Sequence, residues 1–216
     1  MKPLLFVVAS LLPLSAIATI DIQPHVLEMQ QANAVVNVIN HSSMTEYIRV
    51  QLYQINNPGV PPDQESLISV GEQSQPSLFA MPSKLTLGPN QSGRILLKAL
   101  QSPDKEQVYR LSVVPEKNLR VSGGQGAVVG VQLSYMGLVR HLPDSPHHLW
   151  THHCIDGKLK LQNTGNTHLH WHQLKTPQGE RIDDFNLYPE QQRQLTVSNL
   201  QGMVEDKLFN LQCSTD

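Results

Sequence analysis

The sequence runs to 216 residues, with 16 Lys and Arg against 18 Asp and Glu and a formal net charge of -2 with histidine neutral. Near-balanced charge without a long cationic block gives a phosphate backbone little to hold, which argues against nucleic acid as a partner. The length suits two domains of about 100 residues each better than one small sandwich.

The chain opens with Lys2, an apolar run to Leu14 and the small-residue sequence Ala16-Ile17-Ala18, the three-part form of a secretory signal peptide. Residues 1–18 are therefore expected to be removed on export, with the mature chain starting near Thr19. A membrane anchor is the competing reading, but the run is short and is interrupted by Pro3 and Pro13. No later stretch is long and apolar enough to cross a bilayer as a helix.

Residues 20–53 cluster β-formers (Val35, Val36, Val38, Ile39, then Tyr47, Ile48, Val50, Leu52) around the turn-like Asn40-His41-Ser42-Ser43. Successive strands with a short connection are expected. Asn56-Asn57-Pro58-Gly59 and Pro61-Pro62-Asp63 then predict a long exposed loop, because they supply turn dihedrals and Pro removes ladder donors. Short strands follow at 77–80, 84–87, 94–100 and 108–114, and Ser122-Gly123-Gly124-Gln125-Gly126 turns the chain into the longest candidate, 127–140. A Pro-containing break at 141–150 makes the best boundary. Beyond it, strands are expected at 158–161, 167–174, 184–187, 193–197 and 207–213. No segment sustains a 3.6-residue apolar period, so the fold class is all-β.

The only two cysteines, Cys154 and Cys213, both fall in the second half. In an oxidising compartment a disulfide between them is the expected state, two unpaired buried thiols being the alternative. Eight of the ten histidines lie between His141 and His172. Among them, His168, His170 and His172 alternate along one predicted strand and share a face, within reach of a single Zn²⁺ or Cu²⁺. Three polar rings on the solvent side of a half-buried strand explain the same pattern without metal. His147, His148, His152 and His153 read as part of a solvated linker.

Residues 127–140 also alternate. Ala127, Val129, Val131, Leu133 and Tyr135 share one parity and are uniformly apolar, while the other carries Gly130, Gln132 and Ser134. A strand buried in this protein's own core and a strand offered to a partner both fit. No nucleophile elbow, phosphate loop, metal-binding helix or paired-carboxylate site is present, so neither catalysis nor a cofactor is expected.

Several motifs, in order along the chain, resemble the periplasmic chaperones of chaperone-usher pili, and especially the alternate branch that serves colonisation-factor-type fimbriae. They are Tyr47-Ile48-Arg49-Val50 leading to Asn56-Asn57-Pro58-Gly59, Ala80-Met81-Pro82 through Leu87-Gly88-Pro89 to Arg94-Ile95, and Val108-Tyr109-Arg110-Leu111. The most specific is Leu133-Ser134-Tyr135-Met136-Gly137-Leu138-Val139-Arg140-His141-Leu142-Pro143. Asn163-Thr164-Gly165-Asn166 and Leu187-Tyr188-Pro189-Glu190 follow.

The resemblance implies two immunoglobulin-like β-sandwich domains set at an angle with a cleft between them, at 19–141 and 142–216. It further implies a periplasmic chaperone that binds pilus subunits by donor-strand complementation and delivers them to an outer-membrane usher. The donor strand would be Ala127, Val129, Val131, Leu133 and Tyr135, with Arg140 near the domain junction; left bare between clients, such an apolar edge is an association hazard, so self-association or a self-capped homodimer is expected. Other chaperones of the superfamily anchor the client carboxylate with an Arg on the first strand and a Lys on the donor strand. Met136 and the Pro24-His25 pair stand at those places here, so that anchor is not carried over. The rival reading is a periplasmic metal-binding protein using His168, His170 and His172.

Overall fold

The computed structural model describes residues 19–116 and 134–213. The expected signal segment, residues 1–18, lies outside the described residues, as do Ala127, Val129, Val131 and Leu133 of the expected donor strand.

Ten strands make up the first half: β1 (Ile20–Gln23), β2 (Val26–Met29), β3 (Asn33–Asn40), β4 (Glu46–Ile55), β5 (Leu67–Ser69), β6 (Leu78–Met81), β7 (Lys84–Leu87), β8 (Ser92–Ala99), β9 (Gln107–Pro115) and β10 (Tyr135–His141). Eight more follow: β11 (Trp150–Ile155), β12 (Lys158–Asn163), β13 (Leu169–Lys175), β14 (Arg181–Ile182), β15 (Phe185–Leu187), β16 (Gln192–Gln194), β17 (Asn199–Val204) and β18 (Lys207–Gln212). Among the described residues there is no α-helix, only two short 3-10 turns.

Alternation explains the strands. In β4, Ile48, Val50 and Leu52 are buried while Tyr47 and Arg49 are exposed, and in β3 Val36 and Val38 go inward while Asn37 stays out. The inward parities meet across two sheets, ordered β1-β3-β8-β6 and β2-β10-β9-β4-β5, with β7 also on β4. Ile20, Val38, Ile95, Leu97, Leu111 and Val113 are among the residues that fill the space between them. This is the layered solution that one-sided apolar strands require.

The second sandwich stacks β11-β12-β16 on β14-β13-β17-β18, with β15 on β13. Its core centres on Trp171, which meets Trp150 edge-on at 4.9 Å and lies parallel to Phe185 at 5.9 Å. Cys154 of β11 is bonded to Cys213, just past β18, so the disulfide ties the two sheets together. The all-β class, the sandwiches and the Cys154–Cys213 bond agree with the sequence reading.

Three local expectations change. His152 and His153 belong to strand β11 rather than to a linker, because 150–155 pairs residue by residue with β12 through a hairpin at Asp156-Gly157. The strand expected at 193–197 is only β16, and the neighbour of β13 in the sheet is β17, from Asn199 on. The loop after β4 packs part of its length on the second sandwich.

Candidate functional site

β10 holds the described end of the apolar stripe. It lies between β9, antiparallel along its whole length, and β2, parallel to residues 138–141 only. Upstream of Val26 the chain leaves this line at Pro24-His25 and enters the other sheet as β1, so β2 has no further residues to offer. Pro24 lacks the N–H that a continued ladder would use. Residues 135–137 consequently have β9 on one side and, among the described residues, no strand on the other.

Within β10 the odd parity faces the sandwich: Val139 and His141 are buried, and Tyr135 is half-buried against the first core. Met136, on the opposite face, is 45% exposed. Tyr135 is thus the place where the stripe meets this protein's own core.

At the other end of β10 lies the junction of the two sandwiches. Ile55 and Val108 from the first bury Tyr188 from the second, with Leu138 packed against them. Beside them opens a cleft of about 540 Å³ whose lining includes Arg110, Arg140, Asp184, Tyr188 and Arg193. Arg140 donates to Glu28 Oε1 at 3.0 Å and stands 3.9 Å from Glu106 Oε1. Burial pushes the Tyr188 phenol up, and the neighbouring Arg140 guanidinium pulls it back down. Arg110 makes a two-pronged pair with Glu65 at 2.8 and 2.7 Å.

The Glu106 carboxylate is fully buried and reaches across the junction. Its Oε2 accepts from the backbone N–H of His168 at 2.6 Å and lies 2.7 Å from His168 Nδ1. Glu106 N–H donates to the Asn166 carbonyl at 2.8 Å, and Lys105 pairs with Glu190. Sequence reasoning did not single out Glu106: an acid between strands carries no local signal until its partner, 62 residues away, is folded against it.

The histidine face separates into individual tasks. Leu169 and Trp171 are buried, as the alternation requires, but His168 is held by Glu106. His170 and His172 stack on each other at 4.8 Å, and His172 Nε2 lies 2.8 Å from the Glu205 carbonyl oxygen. Among the described residues no three His, Cys, Asp or Glu side chains come together as a metal site. With His168 held by Glu106 and His172 set against the Glu205 carbonyl, the three imidazoles are engaged separately, which does not favour the metal-binding alternative.

No family model matches the chain. Among curated proteins, it is 28% identical to a CS1 fimbrial subunit of Escherichia coli over 169 residues, 75% of this chain and 70% of that protein. It is 26% identical to a CFA/I fimbrial subunit of Escherichia coli over 212 residues, covering 90% and 88%. Among solved structures, the class 5 fimbriae chaperone CfaA superposes with a TM-score of 0.70 at 21% identity, over 91% of this chain and all of that one. A chain of the chaperone-tip adhesin complex of CFA/I fimbriae biogenesis also gives 0.70 at 21%, over 87% and 92%. This chain accordingly has the two-domain, immunoglobulin-like fold of the chaperones that serve chaperone-usher fimbriae.

Proposed function

We propose that this protein is a periplasmic chaperone that captures pilus subunits by lending them a β-strand and passes them to an outer-membrane usher. It acts by binding, without a catalytic step. The single observation that carries the reading is the edge of β10 at residues 135–137, which no strand among the described residues covers and which continues in sequence into the apolar stripe of Ala127, Val129, Val131 and Leu133. A pilin that lacks one strand exposes unpaired backbone and an apolar groove, both aggregation hazards. An inserted strand satisfies the two at once, the β-augmentation mode of recognition.

The same parity that Tyr135 presents to the first core would, in an extended continuation, present Leu133, Val131, Val129 and Ala127 toward the client. The client's core would then adjoin the chaperone's own. Arg140 and the cleft sit at the far end of that strand, between domains we place at 19–141 and 142–216. The fold relatives that include a chaperone bound to a tip adhesin support a fimbrial client. The signal-peptide pattern of residues 1–18 supports the periplasm as the place of work.

The test contrasts the two parities. Val131→Asp or Leu133→Asp sets a charge in an apolar pocket, a cost of several kcal/mol that backbone pairing does not offset. Co-purification with the pilin from periplasm should collapse. Gln132→Asp and Ser134→Asp, one residue away on the other face, should be much milder. Folded Val131 and Leu133 variants that still carry pilin at the parent level would make the strand core only and end the donor assignment.

A further inference from the structure

The loop between β4 and β5 is built more firmly than a connection requires. At its neck, Asn57 Nδ2 donates to the Gln64 carbonyl at 3.0 Å and Asn57 Oδ1 accepts from Ser66 N–H at 2.6 Å. Asn56 N–H donates to the Ser66 carbonyl at 2.9 Å. Pro58, Pro61 and Pro62 fix three backbone dihedrals, and a 3-10 turn spans Pro62–Gln64. At its base Glu65, only 6% exposed at its side chain, is clamped to Arg110 of β9.

The tip of this stiffened loop touches the other sandwich. The Pro58 carbonyl accepts from Gln191 Nε2 at 2.7 Å, while Gln191 Oε1 accepts from Tyr188 N–H at 3.0 Å. Gly59 has φ of 92°, and a Cβ there would stand 3.3 Å from the Tyr188 ring and 3.5 Å from the Asn186 carbonyl. Only glycine combines that dihedral with so close an approach. Residues 58–61 line the interdomain cleft together with Phe185 and Arg193.

We propose that residues 56–66 are a clasp that fixes the two domains relative to each other, with Gln191 as its catch. The contacts of residues 104–106 with Asn166, His168 and Glu190, and the packing of Tyr188 on Ile55, Val108 and Leu138, hold the junction between the sandwiches. The clasp adds a further attachment, made by a loop that is itself braced at neck and base, so the opening between the domains becomes a set dimension. Gln191 is a positioning residue: one amide joins the loop tip to the turn that presents Tyr188.

Gln191→Glu separates the clasp from the turn. Its carboxylate can still accept from Tyr188 N–H but cannot donate to Pro58. Gln191→Met, of similar length and without either bond, is the second variant. In the full-length parent, residual dipolar couplings from both domains should fit one alignment tensor. In both variants the tensors should diverge, with the unclasped population rising about fivefold, the factor that one hydrogen bond of ordinary net strength represents. Backbone shifts inside each sandwich should stay at parent values. A single shared tensor in folded Gln191→Glu and Gln191→Met would overturn the clasp. The proposal adds to the chaperone reading without depending on it, since the tensor comparison needs no client. Pilin co-purification measured alongside reports on that reading separately.

Discussion

Asn40 and Asn163 are fully buried, and each does the same work in its own sandwich. Asn40 Nδ2 donates to the carbonyls of Met44, Leu87 and Gly88, and Asn163 Nδ2 to those of Thr167 and Leu187. Each closes the turn at the end of a strand and pins it to a neighbour. Both turns were legible in sequence as polar, turn-like clusters that begin with Asn; the burial of the asparagines was not, because it depends on strands 24 to 48 residues away. His141 is a different kind of buried polar group. It is 2% exposed, its Nδ1 has no hydrogen-bond partner among the described residues, and burial lowers its pKa below the ordinary 6.5, with Asp144 pulling the other way. The folded state therefore resists the proton that the unfolded state accepts. The stability this residue contributes is fully present above about pH 6.5 and is lost as pH falls below it. Urea midpoints measured from pH 8 to pH 5 should decline through that window, and His141→Leu should flatten the decline. An unchanged slope would show that other groups govern it.

At the scale of elements, periodicity was readable wherever one face of a strand is buried and the other wet, as in β3, β4 and β8. It failed at two strands, the edge strand β11 and the interior strand β17. β11 is almost wholly exposed, so its residues carry no alternation, and its one sequence signal is the Asp156-Gly157 hairpin turn. β17 carries Gly202 in its interior, which interrupts the apolar pattern although Leu200 and Val204 are buried. The same edge position makes β11 dependent on its covalent tie. The Cys154–Cys213 bond closes a loop of 59 residues, and in the chain-entropy model removing it costs about 4 kcal/mol. Cys154→Ser/Cys213→Ser should lower the melting temperature of the second domain and free β11 to fast amide exchange, leaving β3, β4 and β8 protected. Equal losses in both domains would mean that they unfold as one unit.

For the whole molecule, the edge of β10 that no described strand covers has a consequence for the protein on its own. A bare edge that continues into an apolar stripe tends to find another strand, and a second copy of the chain is the nearest source. Sedimentation of the free protein should show concentration-dependent self-association that bound pilin abolishes. A strict monomer at high concentration would count against an exposed donor edge. Alternation, turn residues, a cysteine pair and a Pro-broken middle were enough for the sequence alone to determine two all-β halves, the disulfide and the candidate stripe, since each rests on residues near one another or on counting. Only the tertiary structure decided that Pro24-His25 ends the cover of β10, that Glu106 and His168 meet, and that the loop after β4 reaches Tyr188 and Gln191. Those are contacts between residues 62 to 133 positions apart, or between strands that choose different sheets, and no local pattern encodes them. They arise from how two finished sandwiches fit, which is settled by shape and buried hydrogen bonding after each strand has formed.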